Sequence, residues 1–244
     1  MNYHFEETEL RLVNNKKPVY LLAGRGTGNN DAIMRSILHD VGKPSPTIAY
    51  VGTASEDNRD FFARISALLK RAGDCKVVHA LTYARNADID RAKEILASAD
   101  AIFMSGGDVD VGMRVLEEKG IASIFPGLHE RGKLFFGMSA GSILLAKEWV
   151  RWRDRDDDST AELFPCLGLA PVICDTHGEG EDWEELKAAL RLKQPGACAY
   201  GITSGTCLKV DPDGKVAALG GPIYQYVRRG NTVRRQADVL PNES

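Results

Sequence analysis

The sequence predicts a doubly wound α/β fold with a mostly parallel sheet and antiparallel strands near the C-terminus. Short, almost wholly apolar runs alternate with amphipathic helical patterns up to about Ala146. Strands that are apolar on both faces are typical of a parallel sheet covered by helices on each side. Later in the chain, short strands joined by turn residues follow one another, which is typical of antiparallel pairs.

Five apolar runs are the predicted parallel strands. They are Val19–Ala23, Ile48–Val51, Val77–Leu81, Ala101–Met104 and Leu134–Met138. The predicted helices between them carry apolar residues on one face: Ile33, Met34, Ile37, Leu38 and Val41 in the first, Phe61, Phe62, Ile65, Leu68 and Leu69 in the second, and Ile95, Leu96, Val111, Val115 and Leu116 in shorter ones. Right-handed crossovers between these strands give a flavodoxin-like architecture.

The chain changes character after Ala146. The segment Trp149–Glu162 is charged and lacks periodicity, so it is predicted to be a surface excursion. An apolar stretch, Leu167–Cys174, then precedes an amphipathic helix. Short strands around Cys207–Val210, Ala217–Gly220 and Tyr224–Val227 are predicted to extend the same sheet in antiparallel fashion.

One domain is expected over residues 1–244, because no repeat or low-complexity linker divides the chain. A chain of this length buries enough surface to fold without disulfides or structural metals. Residues 1–17 are predicted to form an N-terminal extension and residues 231–244 a polar tail, which frays from Arg234 onward.

Composition and charge argue against several classes of partner. The formal net charge is −3 and the basic residues are scattered, so no nucleic-acid partner is expected. No apolar run approaches the roughly 20 residues that span a bilayer, and the acidic start has no apolar signal segment. A cytoplasmic protein without a membrane partner is therefore expected, as a monomer or a homodimer. The five cysteines form no C-x-x-C pair, which favours free thiols, and no metal or cofactor is implied.

A glycine-rich loop follows the first predicted strand. Its glycines, Gly24, Gly26 and Gly28, have the spacing GxGxG instead of the dinucleotide-binding GxGxxG, and no acidic residue ends the second strand. A tight strand-to-helix turn at the carboxyl edge of the sheet is the better interpretation, since ligands of open α/β folds bind there. Arg25 in this loop is a candidate contact for a substrate carboxylate.

The most informative motif is the G-x-S-x-G segment Gly137–Gly141, which contains Ser139. An apolar strand leads into it and an apolar helix leads out of it. A serine hydroxyl is a weak nucleophile and must be held at a sharp, exposed turn within reach of a base. The flanking glycines let strand and helix meet closely, as in a nucleophile elbow. The alternative is an ordinary tight turn containing a small serine.

A second loop is expected at the same edge of the sheet. Ser105-Gly106-Gly107-Asp108 ends the preceding predicted strand and opens a helix. The amides of its glycines, with that of Ala140, could stabilise a developing oxyanion, and Gly107 and Ala140 are the predicted donors. Gly106 and Asp108 are candidate substrate contacts. A plain strand-to-helix turn is the alternative.

Histidine is the usual general base for such a serine, and His177 is the preferred candidate among five. It closes an apolar run just before Gly178, which places it at the end of a predicted strand. His4 lies in the N-terminal extension, His39 and His129 lie in helical stretches, and His79 is predicted to be packed within a strand.

These motifs, in this order, resemble the dipeptidase E and cyanophycinase family of serine peptidases. The later segment Leu219-Gly220-Gly221-Pro222 is also similar to one near the end of peptidase E, so the resemblance runs from about residue 18 to residue 230. It implies a fold like that of class I glutamine amidotransferase domains and hydrolysis of peptide bonds next to aspartyl residues. It also implies that Ser139 is the nucleophile, His177 the base, and Gly107 and Ala140 the oxyanion donors.

The third catalytic member departs from that pattern. The family carries a glutamate in a late Gly-x-x-Glu segment, and the matching segment here has Ser204 at that position. A serine hydroxyl supplies no negative charge to an imidazolium. Two aspartates are candidate substitutes: Asp154, which matches a functionally implicated aspartate of peptidase E, and Asp175. The latter precedes His177 by two residues and would share its side of an extended strand.

Three functions follow from these observations. The first is a serine peptidase or amidase that acts on small, aspartyl-containing peptides through an acyl-enzyme. The second is a catalytically impaired relative that binds or senses a small ligand, which Ser204 favours. The third is an esterase of the α/β-hydrolase type. Substrate choice is expected to depend on the loops Thr53–Arg59 and Trp149–Ser159.

Overall fold

The computed structural model describes residues 15–24, 30–154 and 156–241, and its strands fall into three sheets. In chain order the strands are β1 (Val19–Leu22), β2 (Thr47–Val51), β3 (Lys76–Ala80), β4 (Ala101–Met104), β5 (Leu134–Met138), β6 (Glu148–Trp152), β7 (Ala161–Pro165), β8 (Cys174–Thr176), β9 (Cys198–Ile202), β10 (Cys207–Val210), β11 (Val216–Leu219), β12 (Tyr224–Arg229) and β13 (Thr232–Arg235). The helices are α1 (Asn30–Val41), α2 (Arg59–Ala72), α3 (Ile89–Ser98), α4 (Val109–Glu118), α5 (Phe125–Glu130), α6 (Ala140–Leu145) and α7 (Glu184–Arg191).

The main sheet has the order β11-β10-β1-β5-β4-β2-β3. The five strands β1, β5, β4, β2 and β3 are parallel to one another. Strand β10 pairs with β1 in antiparallel fashion, and β11 pairs with β10 in the same way. The five predicted parallel strands and the predicted mostly parallel fold are confirmed. Helices α1 and α2 pack on one face, and α3, α4 and α6 on the other, so both faces are buried. This explains why the strands are almost wholly apolar.

The predicted helical faces match the core closely. All five apolar residues predicted on the first face are buried in α1. His79, predicted to be packed, lies in β3 with its ring stacked on Phe62 at a centroid distance of 4.5 Å. The five cysteines are free thiols, as expected.

The C-terminal strands are not all additions to the main sheet, which corrects one prediction. The strand around Tyr224–Val227 belongs to a separate four-stranded sheet with the order β13-β12-β9-β8. Trp183 is fully packed in this part of the molecule, and Gly178 and Gly201 lie against its indole. A long aromatic side chain thus fills the space that two glycines leave open.

Two segments predicted to be irregular are strands. The expected surface excursion Trp149–Glu162 forms most of the β6–β7 hairpin. Trp149 and Val150 are buried, while the charged residues cluster at the tip of the hairpin.

The predicted fraying of the tail from Arg234 is wrong for the residues up to 241. Strand β13 pairs with β12, and Val239 and Ile223 exchange two backbone hydrogen bonds of 2.9 Å. Residues 1–14 of the predicted extension lie outside the described residues.

Within the parts of the chain that the structure describes, no helix is both long enough and apolar enough to cross a bilayer.

Candidate active site

Ser139 lies at the carboxyl end of β5, in the turn that leads into α6. Its backbone has φ +55° and ψ −124°, a conformation that residues with a side chain rarely adopt. The Ser139 amide donates to the carbonyl oxygen of Leu22 in the neighbouring strand at 2.8 Å, which fixes the turn to the sheet. The sequence motif therefore folds as the sharp strand–turn–helix corner that it predicts.

The glycines around this corner are required by close backbone contacts. A Cβ on Gly137 would lie 2.3 Å from the carbonyl oxygen of Gly141, and one on Gly141 would lie 2.1 Å from that of Met104. The buried Ser142 hydroxyl adds a further link, since it lies 2.8 Å from the carbonyl oxygens of both Leu22 and Gly137. Helix α6 is thereby held directly against three strands of the sheet.

The loop after β4 lies beside this corner, as predicted. A Cβ on Gly106 would lie 3.2 Å from the Cβ atom of Ser139. Gly107 has φ +142°, and a Cβ there would lie 1.8 Å from the carbonyl oxygen of Ala54, so only glycine fits. Among the described residues, neither the Gly107 amide nor the Ala140 amide donates to a backbone carbonyl. Both N–H groups are thus available for an oxyanion.

Ser139 opens into a cavity of about 520 Å³. Its described lining is Ala23, Gly24, Ser55, Asn58, Phe61, Arg64, Gly106, Gly107, Met138, Ser139 and His177. The structure thus brings the predicted nucleophile, the predicted base and the two predicted loop glycines to one cavity. Arg25, with Gly26 and Gly28, lies outside the described residues.

Four residues that line this cavity are not identified as site residues by the sequence patterns. Ser55 and Asn58 come from the loop after β2, which had been expected to influence substrate choice, and Phe61 and Arg64 come from the first turns of α2. Arg64 is the one permanently charged side chain among the described lining residues. The loop after β2 could have been predicted to reach the site, because a loop that follows a parallel strand lies at the same carboxyl edge of the sheet as Ser139.

Asp57 anchors the loop that carries Ser55 and Asn58. Its carboxylate accepts hydrogen bonds from the amides of Thr82 and Tyr83 at 2.6 and 2.7 Å, and it lies 3.4 Å from His79. Burial by itself would raise the pKa of Asp57, but the interaction with His79 and the two amide hydrogen bonds outweigh burial and hold that pKa below its ordinary value. The loop is therefore held at the cavity by an ionised, buried carboxylate.

His177 reaches the cavity from the second sheet. Strand β8 ends at Thr176, and His177 itself takes a left-handed conformation with φ +65°. Its amide donates to the carbonyl oxygen of Ile202 at 3.3 Å, and its Nδ1 lies 3.4 Å from the hydroxyl of Ser204. The predicted nucleophile and base thus come from two different sheets.

Neither predicted acid lines this cavity. The argument for Asp175 assumed an extended strand through His177, but the left-handed turn at His177 ends that alternation, so this part of the prediction is wrong. Asp175 is only 6% exposed, and its carboxylate accepts from the Thr176 amide. Asp154 lies at the exposed tip of the β6–β7 hairpin, where its carboxylate accepts from the Asp156 amide at 3.1 Å.

Burial strongly affects the ionisation of Asp175. It is the main cause that raises the pKa of Asp175 to about 7, and the charges of Glu185, Glu181 and Glu179 act in the same direction against the hydrogen bond from Thr176. Near neutral pH this carboxyl group is therefore partly protonated.

Asp108, a predicted substrate contact, does not line the serine cavity. Its carboxylate caps α4 by accepting from the Val111 amide at 2.9 Å. It lines a second, neighbouring groove that shares Gly107 with the serine cavity and also includes Trp149 and Asp158. The hairpin loop that had been expected to influence substrate choice thus faces this groove.

An α/β sheet with a strained serine corner, a glycine loop beside it and a histidine from a second sheet defines a protein of the glutamine amidotransferase-like class. Within that class, the chain belongs to peptidase family S51, whose family model matches residues 20–217. This match favours the family fold over the α/β-hydrolase alternative.

Two kinds of curated relative are similar to parts of this chain. Peptidase E of Citrobacter koseri is 26% identical over 140 residues, which cover 54% of this chain and 60% of that protein. The pyridoxal 5′-phosphate synthase subunit PdxT of Geobacillus stearothermophilus is 27% identical over 114 residues, or 47% of this chain and 53% of PdxT. The chain thus spans somewhat more than half the length of these curated relatives.

Two solved structures share the fold. A peptidase from an acI-B1 Actinobacterium superposes with a TM-score of 0.64 at 17% identity, covering 93% of this chain and 96% of that one. A putative Peptidase E protein from Listeria monocytogenes EGD-e gives a TM-score of 0.59 at 15% identity, covering 83% and 98%.

Proposed function

We propose that this chain is a serine peptidase or amidase that cleaves small, acidic peptides through an acyl-enzyme on Ser139. The observation that carries the proposal is the strained corner at Ser139, which opens into a cavity that His177 and the Gly106–Gly107 loop also line. Membership of peptidase family S51 supports peptide bonds as the substrate class.

The reaction assigns one task to each group. His177 accepts the hydroxyl proton as the Ser139 oxygen attacks the carbonyl carbon of the substrate. The carbonyl oxygen gains negative charge, which the Gly107 and Ala140 amides stabilise by hydrogen bonds. When the tetrahedral intermediate collapses, the C–N bond breaks and His177 protonates the departing amine. Water, activated by His177 in the same way, then releases the acid and restores the Ser139 hydroxyl.

The positive charge of Arg64 in the cavity favours an acidic substrate. Its guanidinium lies 5.3 Å from the ring centroid of Phe61, so the two side chains form one wall of the cavity. A guanidinium binds carboxylates through paired, charge-assisted hydrogen bonds. A peptide with an aspartyl side chain would therefore place its carboxylate at Arg64 while its carbonyl carbon faces Ser139.

The proposal is tested with α- and β-aspartyl dipeptides and their asparaginyl counterparts, with release of free amine as the measurement. We expect cleavage of aspartyl dipeptides and its loss after treatment with a phosphonofluoridate, which forms a stable adduct on activated serines. Mass spectrometry of the digested protein should place the adduct on Ser139. An adduct elsewhere, or cleavage that persists after full labelling of Ser139, would rule out the mechanism.

Replacement of Arg64 with glutamine tests the substrate class separately. Because a hydrogen bond to a charged group contributes about 1.5–3 kcal/mol, we expect kcat/KM for aspartyl dipeptides to fall about 10- to 100-fold. Weak cleavage of asparaginyl dipeptides should change little. Lys70→Gln is the matched control, because Lys70 is an exposed cation of the same helix that lies far from the loop and does not line the described cavity. Equal losses for both dipeptide classes would contradict the assignment.

A second candidate function is binding of a small acidic ligand without turnover. The observation that favours it is the neutral Ser204 hydroxyl beside the His177 ring, since loss of the acid in a catalytic triad costs several orders of magnitude in rate. Saturable binding of aspartyl dipeptides, without cleavage and without labelling of Ser139, would support this function instead.

A further inference from the structure

The proposed reaction places a positive charge on the His177 ring. When His177 takes the proton of Ser139 it becomes a cation, and such a cation is ordinarily stabilised by a carboxylate at the opposite ring nitrogen. The described hydrogen bond at His177 Nδ1 goes to Ser204, whose hydroxyl carries no net charge.

A carboxylate contacts Ser204 from the other side. Glu179 lies in the 3₁₀ turn Gly178–Glu181, directly after the left-handed residue His177. Its carboxylate oxygen Oε1 accepts a hydrogen bond from the backbone amide of Ser204. Ser204 therefore contacts the imidazole through its hydroxyl and Glu179 through its amide.

The other acidic groups near this turn have different surroundings. Asp175 is buried and bonded to the amide of the next residue, and Asp154 is bonded within its own hairpin. Glu181 lines the neighbouring groove together with Glu185. Among the contacts described for this turn, Glu179 is joined to the imidazole through one intervening residue, Ser204.

We propose that Glu179 is a positioning residue that holds Ser204 against His177 and supplies the negative charge for the imidazolium. This inference rests on the proposed function of Ser139. Acceptance of the Nδ1 proton by the Ser204 hydroxyl orients the ring so that Nε2 is the basic nitrogen for Ser139. The Glu179 carboxylate fixes the Ser204 loop in that place and lowers the electrostatic cost of the cation.

The test replaces Glu179 with glutamine and measures two rates. Since Glu179 and Ser204 are exposed, solvent screens the charge, and we expect kcat to fall about tenfold to a hundredfold with KM nearly unchanged. The rate of Ser139 labelling by the phosphonofluoridate should fall by a similar factor. Glu181→Gln is the matched control, because Glu181 ends the same turn but lines the neighbouring groove.

A second substitution distinguishes loss of the Glu179 charge from a change in the structure of the Ser204 loop. In the Glu179→Gln background, Ser204→Asp places a carboxylate directly beside Nδ1, so we expect kcat and the labelling rate to rise again. A role of Glu179 in loop structure alone would leave them low. The double variant also decides the matter if Glu179→Gln has a lowered Tm.

The possible outcomes distinguish this inference from the proposed function. If Ser139 is labelled and dipeptides are cleaved equally fast in the wild type and Glu179→Gln, the inference is wrong and the proposed function stands. If the wild type shows no Ser139-dependent reaction with any probe, both are wrong. Slower reaction with rescue by Ser204→Asp supports both.

Discussion

The Ser139→Ala variant is expected to lose at least about 10⁴-fold in turnover of aspartyl dipeptides, the scale seen when a catalytic serine is removed from other hydrolases. Without the hydroxyl there is no acyl-enzyme, and the cavity and the amides of Gly107 and Ala140 can only bind the substrate. The measurement is amine release by purified wild type and variant at equal, saturating substrate.

Stability should hardly change in the same variant. The Ser139 side chain makes no capping hydrogen bond to α6, and its backbone amide keeps its bond to Leu22. Alanine has the same Cβ as serine, so the strain of the positive φ is the same in both proteins. Wild-type turnover in this variant would exclude Ser139 as the nucleophile, and a large drop in Tm would leave labelling of Ser139 as the deciding measurement.

The Asp175→Asn variant is expected to be more stable than the wild type, and increasingly so as the pH rises. An aspartate in the unfolded chain has a pKa of about 3.9, whereas in the fold burial raises the pKa of Asp175 to about 7. Folding therefore disfavours the charged form. The penalty is absent below about pH 4, grows between pH 4 and 7, and stays constant above, where it reaches at most about 4 kcal/mol.

Asparagine retains an oxygen that can accept from the Thr176 amide, so the substitution removes the charge and keeps the hydrogen bond. The free energy of unfolding in urea, measured at pH 5 and pH 8, should show a gain of about 1.5 kcal/mol at the lower pH and a larger one at the higher pH. Asp156→Asn, at an exposed position, serves as the control. A gain that does not depend on pH would contradict the raised pKa.

Local patterns allowed much of the fold to be predicted. The five parallel strands are recognisable because both of their faces are buried, so each run is apolar and short. The serine corner is recognisable because two glycines flank Ser139 at a fixed spacing, although only Gly137 is required by a contact inside the corner, while Gly141 is required by its contact with Met104 of β4. Both signals depend on neighbours in the sequence and are therefore readable from it.

What could not be predicted depends on distant parts of the chain. Strand β12 joins a second sheet because it pairs with β9, and nothing in its own residues distinguishes that partner from β11. Arg64 reaches the cavity only because α2 packs where it does. The left-handed turn at His177 ends the alternation of β8, and the apolar run before it does not reveal this turn, so the sequence predicts Asp175 and not Glu179 near the base.

The two halves of the site differ in how freely their residues can change over evolution. Around Ser139, the atoms that would collide with an added methyl group at Gly107, Gly137 or Gly141 belong to the main chain, so no exchange of side chains elsewhere could make room. Glu179 and Ser204, by contrast, lie on exposed loops of the second sheet. A substitution at Glu179 or Ser204 therefore changes the surroundings of His177 without disturbing the core, whereas the backbone frame that holds Ser139 tolerates no added side chain at these three glycines.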